Sequence, residues 1–256
     1  MQLAVPRRMW MYCYIHIRSC QDAAVSTASP PNASPPIALQ HRSRRTRRVV
    51  LDAAFRVLEQ QGPEALTITA VSAEAGVASG TVYRRFGDKD GLMTELQAEF
   101  TTAFREEFGQ RMSAAEPGEA PPPIVIDRAV RALADTFHAH ETLLRVFVIL
   151  GMREPQMLAA GSQASHEGGR QFRDLLWRHR EAFSTNDPEH AIDVVHRIVY
   201  ATCMHRVLHG PHMESPTPLS WAELTDELSR TATLSLLGVL PISEPRSGTA
   251  TTEETS

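Results

Sequence analysis

The sequence predicts an all-α fold of about nine helices in two parts: a three-helix N-terminal unit and a larger helical one. Three observations support this. Apolar residues recur at three- and four-residue spacing from about residue 44 to about residue 240. No stretch of useful length alternates with period two, so no sheet is expected. Between residues 67 and 86, two segments of only a few turns flank a glycine, the pattern of short helices packed through a tight turn.

The elements follow in order. Residues 1–40 are expected to be a disordered leader. Its apolar stretch Met9–Ile17 follows Arg7 and Arg8 like a signal peptide, but it is short, interrupted by His16 and lacks a small-residue cleavage site. The run AVSTASPPNASPPIA after it has the Pro/Ser/Ala composition of a linker. A first helix is expected from about Arg44, with Val50, Ala53, Ala54, Val57 and Leu58 on one face and Gly62-Pro63 as its stop. Thr67 suits the cap of a second helix to about Ala75, Gly76 breaks it, and a third runs from about Ala78 to Phe86. Asp88 suits the cap of a long helix to about Met112, carrying Leu92, Leu96, Phe100, Phe104 and Phe108. This is a helix-turn-helix arrangement, bounded at residues 41–91.

Beyond the proline-rich loop EPGEAPPP, helices are expected at about 124–139, 141–151, 155–183, 188–209 and 220–240, making a second domain over 92–240. Pro155 and Pro188 suit first-turn positions, Asp187 suits a cap, and Ser220 with Glu223 makes a capping box. The polar tail from Pro241 to Ser256 is expected to be disordered.

Composition narrows the function. Hydrophobic residues make up 42% of the chain, yet no run reaches the roughly 18–20 apolar residues that a membrane helix needs, so no membrane partner is expected. Cys13, Cys20 and Cys203 form no CxxC pair, which points to a reducing, cytoplasmic setting and no disulfide framework. The net charge is −4, but residues 41–91 hold nine Lys/Arg against six Asp/Glu, while the rest of the chain carries 17 against 24. A basic segment on an acidic body fits one anionic partner docking at one place, and the helix-turn-helix arrangement makes double-stranded DNA the expected one. No GxSxG, Walker loop, HExxH or dinucleotide-binding glycine pattern is present, so no catalytic residue can be named, and neither enzymatic activity nor a cofactor is expected. His138, His140, His196, His205, His209 and His212 lack a completing Cys or carboxylate cluster, so no metal site is assigned.

The residues of the short helices have physical roles of their own. Gly76 can take the left-handed conformation of a tight turn. Val77 and Val82 are expected to point inward, and Phe86 to pack beneath. Ala78, Ser79 and Gly80 open the third helix with small groups, so its start can approach the floor of a major groove. Thr81 and Tyr83 present hydroxyls, and Arg84 and Arg85 can fork onto a guanine edge or clamp a phosphate, with pairing to a carboxylate as the alternative for Arg85. Lys89 follows the Asp88 cap at a helix start that itself attracts phosphate. Thr67 sits at the matching start of the second helix. The run HRSRRTRR, residues 41–48, puts Arg44, Arg45 and Arg47 in a basic arm ahead of the first helix, suited to a minor groove or the backbone.

The segment LTITAVSAEAGVASGTVYRRFGDKDGLMTEL, residues 66–96, resembles the N-terminal domain of the TetR family of bacterial regulators, most specifically over AGVASGTVYRRFGDKDGL. The resemblance covers roughly residues 44–96. It implies that Thr81, Tyr83 and Lys89 clamp the DNA backbone and that Ala78, Ser79, Gly80 and Arg84 face the bases. It also implies a homodimer built on the last two long helices, and middle helices that enclose a small-molecule effector. Side chains expected around that effector are Phe104, Phe108, Met112, Phe137, Phe147, Met152, Phe172, Trp177, His196 and Tyr200, with Arg145 and His166 as further polar contacts. The expected function is a sequence-specific transcriptional regulator, acting as a repressor released from operator DNA by an apolar or aromatic ligand. A same-fold regulator controlled by a protein partner or by abundance is the alternative.

Overall fold

The computed structural model describes residues 37–115, 118–213 and 215–238, and among them it contains α-helices and 3-10 turns but no strand. The nine α-helices in the described residues are α1 (Ile37–Gln61), α2 (Ile68–Ala75), α3 (Ser79–Phe86), α4 (Lys89–Ala114), α5 (Pro122–Ala139), α6 (Glu141–Gly151), α7 (Pro155–Trp177), α8 (Pro188–His209) and α9 (Trp221–Leu237). The chain divides into two compact units between Glu99 and Phe100, and α4 contributes to both.

The N-terminal unit forms because short amphipathic pieces share one core. Val50, Ala53, Ala54, Val57 and Leu58 of α1 are buried, as the spacing predicts, together with Leu66, Ile68, Val71, Val82, Phe86, Leu92 and Leu96. The hinges follow local chemistry. Thr67 caps α2 by accepting from the Ala70 amide at 3.1 Å, and Gly76 ends it in the left-handed region at φ 65°. Asp88 accepts from the Gly91 amide at 2.8 Å at the start of α4.

In the C-terminal unit α5 packs against α6, α7, α8 and α9. Its buried Val125, Ile126, Ala129, Val130, Leu133 and Phe137 meet Phe172 and Leu176 of α7, Ile192, Val195 and Val199 of α8, and Leu228, Ala232 and Leu236 of α9 in one apolar cluster. Polar ties fix the helix register. Arg131 bridges Asp127 at 2.9 Å and Asp226 at 2.7 Å, while the Ser229 hydroxyl donates to Asp127 at 2.6 Å. Glu141 accepts from Arg145 at 3.1 Å, Arg206 at 3.3 Å and the Trp221 indole at 3.0 Å, linking α6, α8 and α9.

Three boundaries differ from the sequence expectation. Helix α1 begins at Ile37 rather than near Arg44, so the end of the expected leader and the basic run are helical. Nothing in Ile37–Arg48 breaks a helix, and tertiary ties, described below, hold the charge run in place. The helix expected over 155–183 stops at Trp177 and gives way to a 3-10 turn at Arg180–Ala182. The cause is tertiary: Phe183 turns into the core, and Ser184 bonds the carbonyls of Leu236 at 2.8 Å and Leu237 at 2.7 Å. Helix α9 ends at Leu237 because Gly238 adopts φ 67°, a left-handed stop that its small size alone did not announce. The Ser220–Glu223 capping box and the Asp187 cap form as the sequence indicates. The remaining leader, Cys13, Cys20 and the tail from Pro241 lie outside the described residues.

Candidate nucleic-acid interface and effector site

Helix α3 has a sharply two-sided character. Val82 and Phe86 anchor it in the core, at 0% and 8% exposure, and Val77 is half-buried before it. The opposite side carries exposed Ala78, Gly80, Tyr83, Arg84 and Arg85, with Thr81 and Ser79 half-buried; Tyr83 is 54% exposed despite its ring. No side chain caps the start of α3 at Ala78, and the Thr81 amide bonds back to the Ala78 carbonyl at 2.8 Å. Such a surface can lie in a groove, with flat, hydrogen-bonding and cationic groups outward and no apolar bulk at its leading end.

Other expected contacts are placed differently. The Thr67 hydroxyl is exposed but serves as the α2 cap, and the Lys89 ammonium donates to the Pro63 carbonyl at 3.3 Å. Arg44 and Arg45 are exposed on helical turns of α1, not on an extended arm. Arg47 turns inward to bridge Glu95 at 2.7 Å and Glu99 at 3.3 Å on α4. Arg85 forks onto the Ser43 hydroxyl at 3.0 and 2.9 Å. Sequence reasoning missed two residues here. Ser43 has no local signal, because its partner lies 42 positions away. Gly91 had one, an Asp-x-x-Gly start to a helix, and a Cβ there would drive into the Phe86 carbonyl oxygen.

The C-terminal unit holds a continuous series of rings. Phe147 meets Phe100 at 4.9 Å, Phe100 meets Phe104 at 5.9 Å, Phe104 meets Phe137 at 5.8 Å and Phe137 meets Tyr200 at 5.3 Å. His196 continues it between Tyr200 at 5.9 Å and Phe172 at 5.3 Å. Phe108, Met112 and Met157 are buried in the unit as well. Polar groups interrupt this apolar series at two places: His140, bonded to Glu107, packs on Phe100 and Phe104, and the Tyr200 hydroxyl and Ser165 are 2.7 Å apart, a pairing over 35 residues that no spacing rule reveals. Gly169 makes room for the imidazole, since a Cβ there would lie 2.9 Å from His196 Cε1. Met152 and Trp177, expected among the effector-facing groups, are instead 65% and 41% exposed, with Arg180 stacked on the Trp177 ring. Arg145 is occupied by Glu141 and the Val207 carbonyl, and His166 is exposed.

Burial pushes the His196 imidazole down to about 4, helped by the Arg173 and Arg197 charges and opposed by Asp193. The folded state therefore binds fewer protons at this site than the unfolded chain. The stability that neutral His196 contributes is complete above pH 6.5 and is lost as pH falls towards 4. Urea melts across that window are expected to show falling stability, on the order of 2 kcal/mol, with the slope reduced in His196→Gln. The Cys203 thiol, pushed up to about 12 by burial, is inert in this core.

The histidines have other occupations than metal. His138 stacks on Trp221 at 5.3 Å, His140 bonds Glu107 at 2.9 Å, and His205 stacks on His209 at 4.2 Å. Among the described residues no group of three or more His, Cys, Asp or Glu is placed to hold a metal ion, and no helix is long and apolar enough to cross a membrane.

Comparison with known proteins agrees with this architecture. The family profile for bacterial regulatory proteins of the tetR family matches residues 50–96, and that for the tetracyclin repressor-like C-terminal domain matches residues 121–232. The HTH-type transcriptional regulator BetI of Escherichia coli O139:H28 is 30% identical over 74 residues, which are 29% of this chain and 38% of BetI; the match thus spans well under half of that relative. Among solved structures, a TetR-family chain from Mesorhizobium loti MAFF303099 aligns with TM-score 0.62 at 19% identity, over 76% of this chain and 96% of that one. A TetR transcription regulator from Haloarcula marismortui ATCC 43049 aligns with TM-score 0.58 at 16% identity, over 77% and 100%. These two share the fold. With both the helix-turn-helix and the helical C-terminal domain matched in order along the chain, the protein belongs to the TetR family of bacterial regulatory proteins.

Proposed function

We propose that the chain is a homodimeric, sequence-specific DNA-binding repressor that leaves its operator when a small apolar or aromatic molecule binds its helical unit. The observation that carries the DNA reading is the two-sided α3, locked by Val82 and Phe86 and presenting Tyr83, Arg84 and the small residues Ala78 and Gly80 outward. Arg84 supplies base-edge hydrogen bonds, and Thr81, Tyr83 and Lys89 supply backbone contacts. A single eight-residue reading helix gives little affinity, and two copies spaced one DNA turn apart remedy that. Ile198 on α8 and Leu234 on α9, 45% and 47% exposed, support pairing of those helices with a second copy.

The effector reading rests on the ring series and the polar pole at Tyr200 and Ser165. Phe104, Phe108, Phe137, Phe147 and Phe172 suit the body of an aromatic ligand, and Tyr200, Ser165 and neutral His196 suit one uncharged hydrogen-bonding group on it. Ligand binding shifts a conformational equilibrium only by its preference for one state, here a dimer whose reading helices no longer match successive grooves. A thermal-shift screen of small aromatic compounds, followed by competition against bound DNA, tests this. A true effector raises the melting temperature and releases DNA, and Tyr200→Phe weakens it about fivefold while DNA affinity stays the same. Compounds that bind without altering DNA affinity would leave the release scheme without support.

A further inference from the structure

Resting on that DNA-binding reading, we infer that residues 41–48, the second and third turns of α1, are a rigid helical docking surface for the DNA sugar-phosphate backbone. This segment precedes the residues matched by the family profile, which begin at 50. Its two faces do different things. Ser43 and Arg47, four residues apart and hence on one side of the helix, tie it inward, Ser43 to Arg85 of α3 and Arg47 to Glu95 and Glu99 of α4. Arg42, Arg44, Arg45 and Arg48 remain exposed.

That outer set is unfavourable without an anion. Arg42 with Arg45, Arg44 with Arg48, and Arg45 with Arg48 are like-charge pairs at three- or four-residue spacing, each of which destabilises a helix. No acidic residue lies among residues 37–51 of α1, and the nearest, Asp52, one turn beyond Arg48, offsets only the Arg48 end of the set. The inward ties keep the turns helical against this repulsion, and a polyanion would relieve it. The bond from Ser43 to Arg85 places the surface beside the last turn of the reading helix, so phosphates flanking the groove are the anions within reach. At 1.5 Å per residue, Arg42 and Arg48 are roughly 9 Å apart along the helix axis, a span of about two to three phosphates of one strand. The surface therefore supplies affinity that depends on salt and not on sequence, and Arg47 is a positioning residue with no phosphate of its own.

The test measures affinity against salt for two 30-base-pair duplexes, one from beside the protein's own gene and one of random sequence. Wild type is compared with Arg42→Gln/Arg44→Gln/Arg45→Gln/Arg48→Gln and with Tyr83→Ala. For the fourfold variant we expect the slope of log affinity on log salt to fall by about 2. Both duplexes should be weakened by the same factor, with circular dichroism unchanged and the melting temperature of the free protein held or slightly raised by the relieved repulsion. An unchanged slope, with Tyr83→Ala still weakening binding, would overturn the inference and leave the α3 reading intact. Loss of preference between the duplexes would also overturn it, because the arginines would then be reading bases. Failure of wild type to bind either duplex would remove the DNA reading and the inference together.

Discussion

Phe137→Ala is expected to destabilise the C-terminal unit by about 3–5 kcal/mol, the range for emptying a fully packed aromatic site. Phe137 is 1% exposed and meets the rings of Phe104 at 5.8 Å and Tyr200 at 5.3 Å, both edge-on. It lies on α5, whose neighbours are four other helices of the unit, so no single helix can slide in to close the gap. Urea denaturation followed by circular dichroism gives the size. A loss below 1 kcal/mol would mean that the ring series is loose, and the effector reading would then need a different, preformed site. Phe137→Leu, which keeps most of the volume, should lose much less.

Gly91→Ala is expected to have the largest effect in the N-terminal unit. Gly91 is the third residue of α4, and its amide bonds the Asp88 carboxylate at 2.8 Å. A Cβ at this position would push into the Phe86 carbonyl oxygen, a backbone atom that cannot swing aside as a side chain would. The turn from α3 to α4 therefore closes only without a side chain at 91. Alanine should cost about 3 kcal/mol as an overpacked site and displace α3, lowering DNA affinity at least tenfold. Gly80→Ala is the internal comparison: a Cβ there meets nothing within 4 Å, so the melting temperature should hold or rise slightly. Equal stability for the two variants would show that the α3–α4 turn is not strained in the way the geometry requires.

Local chemistry made most of the fold legible. Thr67, Gly76, Asp88, Asp187 and the Ser220–Glu223 pair act within a turn of the chain, so the sequence carries their hydrogen bonds openly. What it concealed was settled by residues far apart. The end of α7 depends on Ser184 finding Leu236 and Leu237 some fifty positions later, and the helical state of residues 41–48 depends on Arg85, Glu95 and Glu99. A charge run read in isolation looks unfolded; tied by Ser43 and Arg47, it is ordered. The same blindness affected the apolar residues expected around an effector. Helical spacing shows that Met152 and Trp177 are large and apolar, but both sit at or beside the end of a helix, α6 and α7, where the chain turns to the surface. The residues on α3 were legible because turn, helix and cap all lie within about twenty positions.

The most direct test of the central claim is fluorescence anisotropy of the purified protein on a duplex from beside its own gene, against a random duplex, with wild type and Tyr83→Ala compared at two salt concentrations. The account predicts that wild type prefers the gene-adjacent duplex. Tyr83→Ala, a change on an exposed side chain that leaves the fold intact, should weaken that binding tenfold or more, a loss of about 1.4 kcal/mol. Equal, weak binding to both duplexes that Tyr83→Ala leaves unchanged would contradict it, because the outward face of α3 would then not be the surface that meets DNA.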